Sequence, residues 1–259
     1  MNLRFSSSYA MAYDLLNEGK PYQDEVDFVL NLYKTFTNRG SLPTNVLDLG
    51  CGSGMHLSKF PPSIRKTGVD LSESMLVVAS KRNLPNASYV HTNIGDFQSD
   101  ERFDLVYSLF HVMSYQTTES DLGRAFTTIH NSLANNGLAI FDFWHRAAWD
   151  NDPPVTRMTS RKNSTVEVKR VSSPVLDHLT GLVSIDMDLF VHESGMDEET
   201  YVHFSEHHDM RSYTLQELSL ATKLAGLEIV WCGPWMTTSR QLISSDWYGW
   251  IALQKSSRS

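Results

Sequence analysis

Apolar positions between residues 9 and 143 alternate between helical spacing and short continuous runs. Residues 9–38 predict two helical pieces broken at Gly19–Pro21, the second placing Val26, Val29, Leu30 and Tyr33 on one face. Pro43 precedes a short apolar strand, Val46–Leu49, and GCGSG at 50–54 is a turn from which MHLSKF can begin a helix. Further strands are predicted at 67–71 (TGVDL), 87–91, 103–110 (FDLVYSLF) and 138–143 (LAIFDF). Ser72 is placed to cap the helix ESMLVVASKRN, because its hydroxyl can accept an orphan backbone N–H. A helix is predicted from Thr118 to Leu133, with Asn135-Asn136-Gly137 as its stop. Short apolar strands alternating with helices imply βαβ units and an α/β fold with a doubly wound parallel sheet.

From about residue 144 to 213 the pattern becomes β-rich, with candidate strands TVEVKRV, LVSIDMDLFVHE and YVHFSEHHDMRSY. Thr214 then starts an amphipathic helix, LQELSLATKLAG, followed by strands LEIVWCG and WYGWIALQK. These last elements complete a seven-stranded sheet, so 144–213 reads as an antiparallel β cap inserted between strands five and six. The whole chain, 1–259, is expected to be one domain, with 1–44 as a helical lid.

Composition narrows the partners. Lys plus Arg is 22 and Asp plus Glu is 30, a net charge of −8 that repels phosphate backbones and anionic lipid. No nucleic acid and no membrane partner is expected, and no apolar run is long enough to span a bilayer. The first residues lack the apolar core of a signal peptide, and two cysteines, Cys51 and Cys232, are too few for a disulfide framework. A reducing cytoplasmic setting is therefore expected. No CxxC or HExxH occurs, so no metal site is expected.

The strongest local signal is VLDLGCGSG at 46–54. A strand feeding a glycine turn puts backbone at the C-terminal edge of a parallel sheet, where such folds bind ligands. A dinucleotide fingerprint would need its third glycine at position 55, but Met55 stands there and Gly54 is one residue early. This disfavours a nicotinamide-dependent oxidoreductase. Asp48, two residues before Gly50, suits a cationic ligand better than a pyrophosphate, and Asp70, ending the second strand, can accept hydrogen bonds from a ribose diol.

With GVDLSESML (68–76), NIGDF (93–97) and FDLVYSLFHVMSY (103–115) in order behind that loop, the sequence resembles the class I S-adenosylmethionine-dependent methyltransferases. The resemblance covers about residues 45–145 well and implies a Rossmann-like sheet with S-adenosylmethionine as cofactor. It implies that Gly50, Gly52 and Gly54 line the methionine moiety with Asp48 near its amino group, and that Asp70 binds the ribose. Leu71, Met75 and Ile94 would sandwich the adenine. Asn93 stands where many members carry Asp, and Cys51 and Ser108 fall within the same implied cofactor set. Tyr13 and Tyr22 look similar to tyrosines that close over the cofactor in small-molecule members. SLFHVMSY and DFWH resemble methyltransferases of amino sugars and other metabolites, which implies a small polar methyl acceptor.

Methyl transfer from a sulfonium needs mainly alignment, plus a base where the acceptor carries a proton. His111 directly follows the fourth strand and is the candidate base, or a residue that only positions the acceptor. Tyr115, four residues on, can hydrogen-bond an acceptor. Asp142 alternates with Phe141 and Phe143, so one of these sets faces the ligand edge. Glu206-His207-His208-Asp209 reads first as a solvated strand face, with a metal site or a pocket for polar substrates as the alternatives, and Trp231, Trp235, Trp247, Tyr248 and Trp250 read as core or as pocket lining. N-methylation of an amino sugar, O-methylation, methylation of RNA or protein, and cofactor binding without turnover remain open, as does a dimer surface on the insertion.

Overall fold

The computed structural model describes residues 7–256 apart from Gly195, Met196, Glu198 and Glu199. Two helices, α1 (Ser7–Leu16) and α2 (Tyr22–Thr37), lead into β1 (Asn45–Leu49). There follow β2 (Arg65–Asp70), α3 (Glu73–Lys81), β3 (Ala87–His91), β4 (Phe103–Ser108), α4 (Glu119–Ser132) and β5 (Leu133–Trp144). A short helix, α5 (Arg146–Asn151), opens the second sheet of β6 (Arg157–Lys162), β7 (Val166–Leu176), β8 (Leu182–Glu193) and β9 (Val202–Arg211). The chain returns through α6 (Leu215–Leu224), β10 (Leu227–Pro234) and β11 (Tyr248–Lys255).

The main sheet runs β10-β11-β5-β4-β1-β2-β3, parallel from β5 to β3, with β11 antiparallel to both neighbours. β1 lies inside the sheet between β4 and β2 with all five residues buried, because it is covered on both faces. Leu47 and Leu49 pack on one side with Phe126, Phe141 and Ile251; Val46 packs on the other with Val26, Val29, Tyr33, Tyr107 and Trp250. Each such side chain contributes roughly 1.5–3 kcal/mol by leaving water. The predicted face of α2 is the buried one. Ser72 caps α3 by accepting the Met75 N–H, and Thr214 with Glu217 forms a capping box on α6.

Several boundaries differ from the sequence expectation. MHLSKF gives only a 3-10 turn, Leu57–Lys59, because Pro61 and Pro62 follow at once and stop a helix from propagating. Asn135-Asn136-Gly137 does not stand between α4 and the next strand. It lies in an irregularity of β5, whose pairing with β4 jumps from Phe103–Leu133 to Leu105–Leu138. Gly137 is required there, since a side chain would sit 2.9 Å from the Asp104 carbonyl oxygen. β4 ends at Ser108 rather than Phe110, and α5 and β6 carry no periodicity strong enough to be read.

The second sheet is antiparallel, in the order β6-β7-β8-β9, and sits between β5 and β10 in the chain as expected. Val168 and Leu189 pack against Ala10, Ala12 and Leu16 of α1 and Met75 of α3. Val183, Ile185 and Met210 pack against Trp144 at the end of β5 and Trp149 of α5. The insertion therefore touches the main sheet's C-terminal edge and the N-terminal helix together. Among the described residues, no helix is long and apolar enough to cross a membrane.

Candidate active site

The loop after β1 is built inward. The N–H groups of Gly50 and Cys51 donate to the Val69 carbonyl at 2.7 and 2.9 Å, and that of Gly54 donates to the Cys51 carbonyl at 2.9 Å. The Gly52 N–H donates to Asp70 Oδ2 at 2.8 Å, and Asp70 Oδ1 accepts the Ser72 N–H at the same distance. These donors are spent within the protein, so this is not the open row of N–H groups that cradles a pyrophosphate. What the loop presents is a pair of acids, Asp48 and Asp70. Asp48 is fully buried and its Oδ2 has no hydrogen-bond partner. Burial, with the Asp70 charge adding to it, pushes the Asp48 carboxyl well above the usual range. Asp70 is raised by burial too, against the backbone N–H groups that favour its anion.

The three glycines have different reasons. Gly50, at φ +86°, lies so close to the Val112 side chain that any Cβ would overlap it. Gly54, at φ +75°, faces Ala79 of α3. Gly52, at φ +52°, borders open space, and there a ligand can approach the backbone. The Gly50–Val112 contact also brings the turn after β4 onto the glycine loop.

α1 closes over that loop. Ser53 Oγ donates to Asp14 Oδ1 at 2.6 Å, the Arg82 guanidinium pairs with Asp14 Oδ2, and Arg82 Nε donates to the Ser53 carbonyl at 2.5 Å. Tyr13 meets the Phe110 ring edge-on at 6.4 Å. Tyr22 is buried against His56, its hydroxyl has no hydrogen-bond partner, and burial pushes its pKa up. Lys20 lies 4.7 Å over the rings of both Tyr22 and Phe110 and pairs with buried Glu25. Glu25 also contacts His56 Nε2 at 2.7 Å and accepts from Trp235 Nε1 at 3.3 Å. Burial works to raise the Glu25 carboxyl, but the His56 hydrogen bond and the Lys20 charge outweigh it and hold it low. Burial lowers the His56 pKa, so this imidazole is neutral beside an ionised Glu25.

The turn after β4 is the most constrained segment. Phe110 and His111 both take left-handed backbone angles, φ +68° and +65°, which non-glycine residues rarely adopt. Asp142, buried on β5, accepts both of their N–H groups, at 3.2 and 2.8 Å. The His111 ring stacks on Tyr248 at 4.7 Å and lies 5.7 Å from Trp144, which stacks on Trp149 at 4.2 Å. A 3-10 turn, Val112–Tyr115, then carries Tyr115 into the cluster of Trp144, Met187 and Trp247. The Tyr115 hydroxyl is 2.9 Å from His208 Nδ1 on β9, and His208 Nε2 is 3.1 Å from Glu206 Oε2.

The remaining expected cofactor residues differ in burial and in local partners. Leu71 is exposed; Met75 is buried with α1 and the second sheet; Ile94 is buried in the main core. Asn93 Oδ1 accepts the Gly95 N–H at 2.8 Å, which closes the turn after β3. Ser108 Oγ donates to the Leu49 carbonyl at 2.7 Å and ties β4 to β1. Cys51 points toward Gly68 of β2 as a buried free thiol, its pKa raised by burial and by Asp48. Of the C-terminal aromatics, Trp250 is core, Trp231 packs on Phe28, Trp247 packs on Trp149, and Tyr248 reaches the site. The β9 run divides: Glu206 and His208 are buried, while His207 contacts Asp186 and Asp209 on the outer face. Among the described residues no group of side chains could hold a metal ion. Asp14, Glu25, His56 and Arg82 were not legible as site residues, because only the fold brings them to the loop.

The residues present suit a ligand with cationic groups and a ribose: a buried acid, Asp48, a second acid, Asp70, and open space at Gly52. Residues 46–137 match the model of a methyltransferase domain. The chain is 29% identical over 228 residues to the dTDP-3-amino-3,4,6-trideoxy-alpha-D-glucopyranose N,N-dimethyltransferase of Streptomyces venezuelae, covering 87% of this chain and 92% of that one. Its fold matches an S-adenosylmethionine-dependent methyltransferase from Clostridium acetobutylicum, with TM-score 0.79, 21% identity and coverage of 96% and 98%. It also matches CalS10, an S-adenosylmethionine-bound amino pentose methyltransferase from Micromonospora echinaspora, with TM-score 0.74, 22% identity and coverage of 98% and 99%. The chain thus carries a match to a methyltransferase domain over residues 46–137 and shares its fold with S-adenosylmethionine-dependent methyltransferases.

Proposed function

We propose that the enzyme methylates the amine of a nucleotide-linked amino sugar. The observation that carries this reading is the aromatic cluster of His111, Tyr248, Trp144 and Tyr115, joined to the glycine loop through the Gly50–Val112 contact, with Trp144 and Tyr115 packed against the second sheet. S-adenosylmethionine supplies the methyl group from its sulfonium. Asp48 and Asp70 hold its cationic and ribose ends, and Gly52 gives the backbone approach. Residues 1–44 act as a lid, with Asp14 latched to Ser53 and Arg82, and 144–213 act as a roof that keeps water from the transfer.

His111 orients the acceptor. Its Nδ1 is 3.0 Å from Asp142 Oδ2 without hydrogen-bond alignment, and the ring is fixed by Tyr248. Alignment of this kind is worth much of the rate of a displacement reaction. The named acceptors of relatives support the sugar amine: the Streptomyces venezuelae relative and a second from Saccharopolyspora spinosa, 28% identical over 184 residues, are both N,N-dimethyltransferases of dTDP-amino sugars. The two free thiols suit a cytoplasmic setting.

The test is a mass-shift screen of dTDP-linked amino-deoxysugars, the matching hydroxy-sugars, and RNA, each with S-adenosylmethionine. Gain of one or two methyl groups on the amine is expected. Methylation of hydroxy-sugars alone would replace this reading with O-methylation, and methylation of RNA alone would overturn it.

A further inference from the structure

We propose that Arg157 and Arg170, on the inward face of the second sheet, bind the diphosphate of the nucleotide-linked acceptor. This deepens the proposed function and rests on its reading that the acceptor carries a nucleotide. The shared face follows from register. Residues opposite one another in an antiparallel pair share a face, and the face alternates along each strand. Val168 and Leu189 pack on α1 and Met75, so their face points inward. Arg170 lies two residues beyond Val168 and pairs with Leu189 of β8 and Thr159 of β6. Arg157, two residues before Thr159, pairs with Ser172 of β7. Arg157 and Arg170 are thus diagonal neighbours on one face, a spacing of about 7–8 Å in such pairs.

These cations have no counter-charge. Among the described residues no carboxylate pairs with either guanidinium, and Arg170 Nε is buried without a hydrogen-bond partner. Glu167, the acid of β7, alternates onto the other face and pairs with Lys162 and Lys169. An unpaired buried donor and neighbouring like charges both cost stability, so neither feature serves the fold. The pair also runs against the chain's net charge of −8.

The pair adjoins the aromatic cluster. The Arg157 guanidinium lies 5.9 Å over the Trp247 ring, and the next residue, Tyr248, stacks on His111 at 4.7 Å. Burial raises the Tyr248 pKa and the Arg157 charge opposes that rise, so the cation is felt at the phenol. Arg157 and Tyr248 are both exposed, which gives a ligand access to this edge. Guanidinium groups match phosphate oxygens through paired N–H bonds and stay charged at any working pH. Two of them in diagonal register suit two phosphoryl groups joined through one oxygen, and Thr159 and Ser172 add hydroxyl donors on the same face. An acceptor held there by its diphosphate extends its sugar past Trp247 and Tyr248 toward His111.

Titration calorimetry on the full chain tests the grip with inorganic pyrophosphate, dTDP and thymidine. Wild type is expected to bind dTDP more tightly than thymidine. Arg157→Gln and Arg170→Gln should each weaken dTDP and pyrophosphate by about tenfold or more and leave thymidine unchanged. Arg161→Gln is the control, because Arg161 shares the strand and the face but bonds the Ser160 carbonyl; it should change little. In turnover of a dTDP-linked amino-deoxysugar, the loss in Arg157→Gln and Arg170→Gln should fall mainly on KM rather than kcat. Arg157 is exposed on an edge strand, so Arg157→Gln should melt with wild type and decides the matter even if Arg170→Gln folds poorly. Absence of dTDP and pyrophosphate binding in wild type, equal affinity in Arg157→Gln, or an equal loss in Arg161→Gln would overturn the proposal. The acceptor assignment fails separately. If dTDP affinity drops in Arg157→Gln but no nucleotide-linked sugar is methylated, the grip stands and the acceptor reading falls. If such sugars are methylated with unchanged KM in both variants, the reverse holds.

Discussion

Asp142 holds His111 twice: Oδ1 accepts its backbone N–H at 2.8 Å, and Oδ2 lies 3.0 Å from its Nδ1. The same carboxylate accepts the N–H of Phe110, and these contacts keep two successive residues in left-handed conformations. Backbone held this way costs on the order of 1–3 kcal/mol per residue and persists only where other contacts enforce it. Asp142→Ala is therefore expected to let the turn relax, lowering turnover at least as much as His111→Ala. Steady-state kinetics of both variants, alongside their affinity for S-adenosylmethionine, checks this. Normal turnover in Asp142→Ala would mean that the turn holds itself.

Asp48 carries an opposed pair of effects. Its folded pKa lies above its unfolded value, so ionisation is disfavoured in the folded state, and stability falls as pH rises through that interval. Asp48→Asn removes the group whose ionisation the folded state opposes. The ligand-free variant should melt higher than wild type at pH 7, by about 2–4 °C per kcal/mol relieved, and the advantage should vanish toward pH 4. Its affinity for S-adenosylmethionine should fall. Differential scanning calorimetry across pH with parallel titration calorimetry reads both; a lower melting temperature with unchanged affinity would refute the assignment.

Arg82 and Asp14 pin α1 to the loop at Ser53, and both side chains are partly exposed, so the pair itself adds little to global stability. Asp14→Ala should leave the melting temperature nearly unchanged while amide exchange in α1 speeds up. If the helix is a lid, cofactor affinity should drop about tenfold, equivalent to roughly 1.4 kcal/mol. Unchanged exchange in α1 would show that packing of its Ala10, Ala12 and Leu16 on Met75, Val168 and Leu189 suffices.

Gly52 and Gly50 should respond differently. Gly52→Val places a branched side chain in the open space beside the loop and should abolish cofactor binding by calorimetry. Gly50→Ala should instead destabilise the fold, since its Cβ would overlap Val112 and its φ is +86°. Thermal melts separate the two outcomes.

Short-range signals made the central strands, the glycine loop, the Ser72 cap and the antiparallel insertion legible, because alternation, turn residues and capping hydroxyls act over a few residues. Asp48, Asp70 and His111 were visible for the same reason: each sits beside a strand end that the pattern marks. The bulge at Asn135–Gly137 was not, since asparagine and glycine mark a helix stop and a strand irregularity alike, and only pairing with β4 distinguishes them.

By itself, then, the sequence determined a doubly wound sheet with a glycine loop at the end of its first strand. The tertiary structure decided the chemistry around that loop. It joined Tyr115 to His208 across 93 positions and Arg82 to Asp14 across 68. It also split the Glu206–Asp209 run into a buried pair and an outer one. Contacts between distant elements leave no periodic trace along the chain, because they depend on which faces are brought together when the core closes.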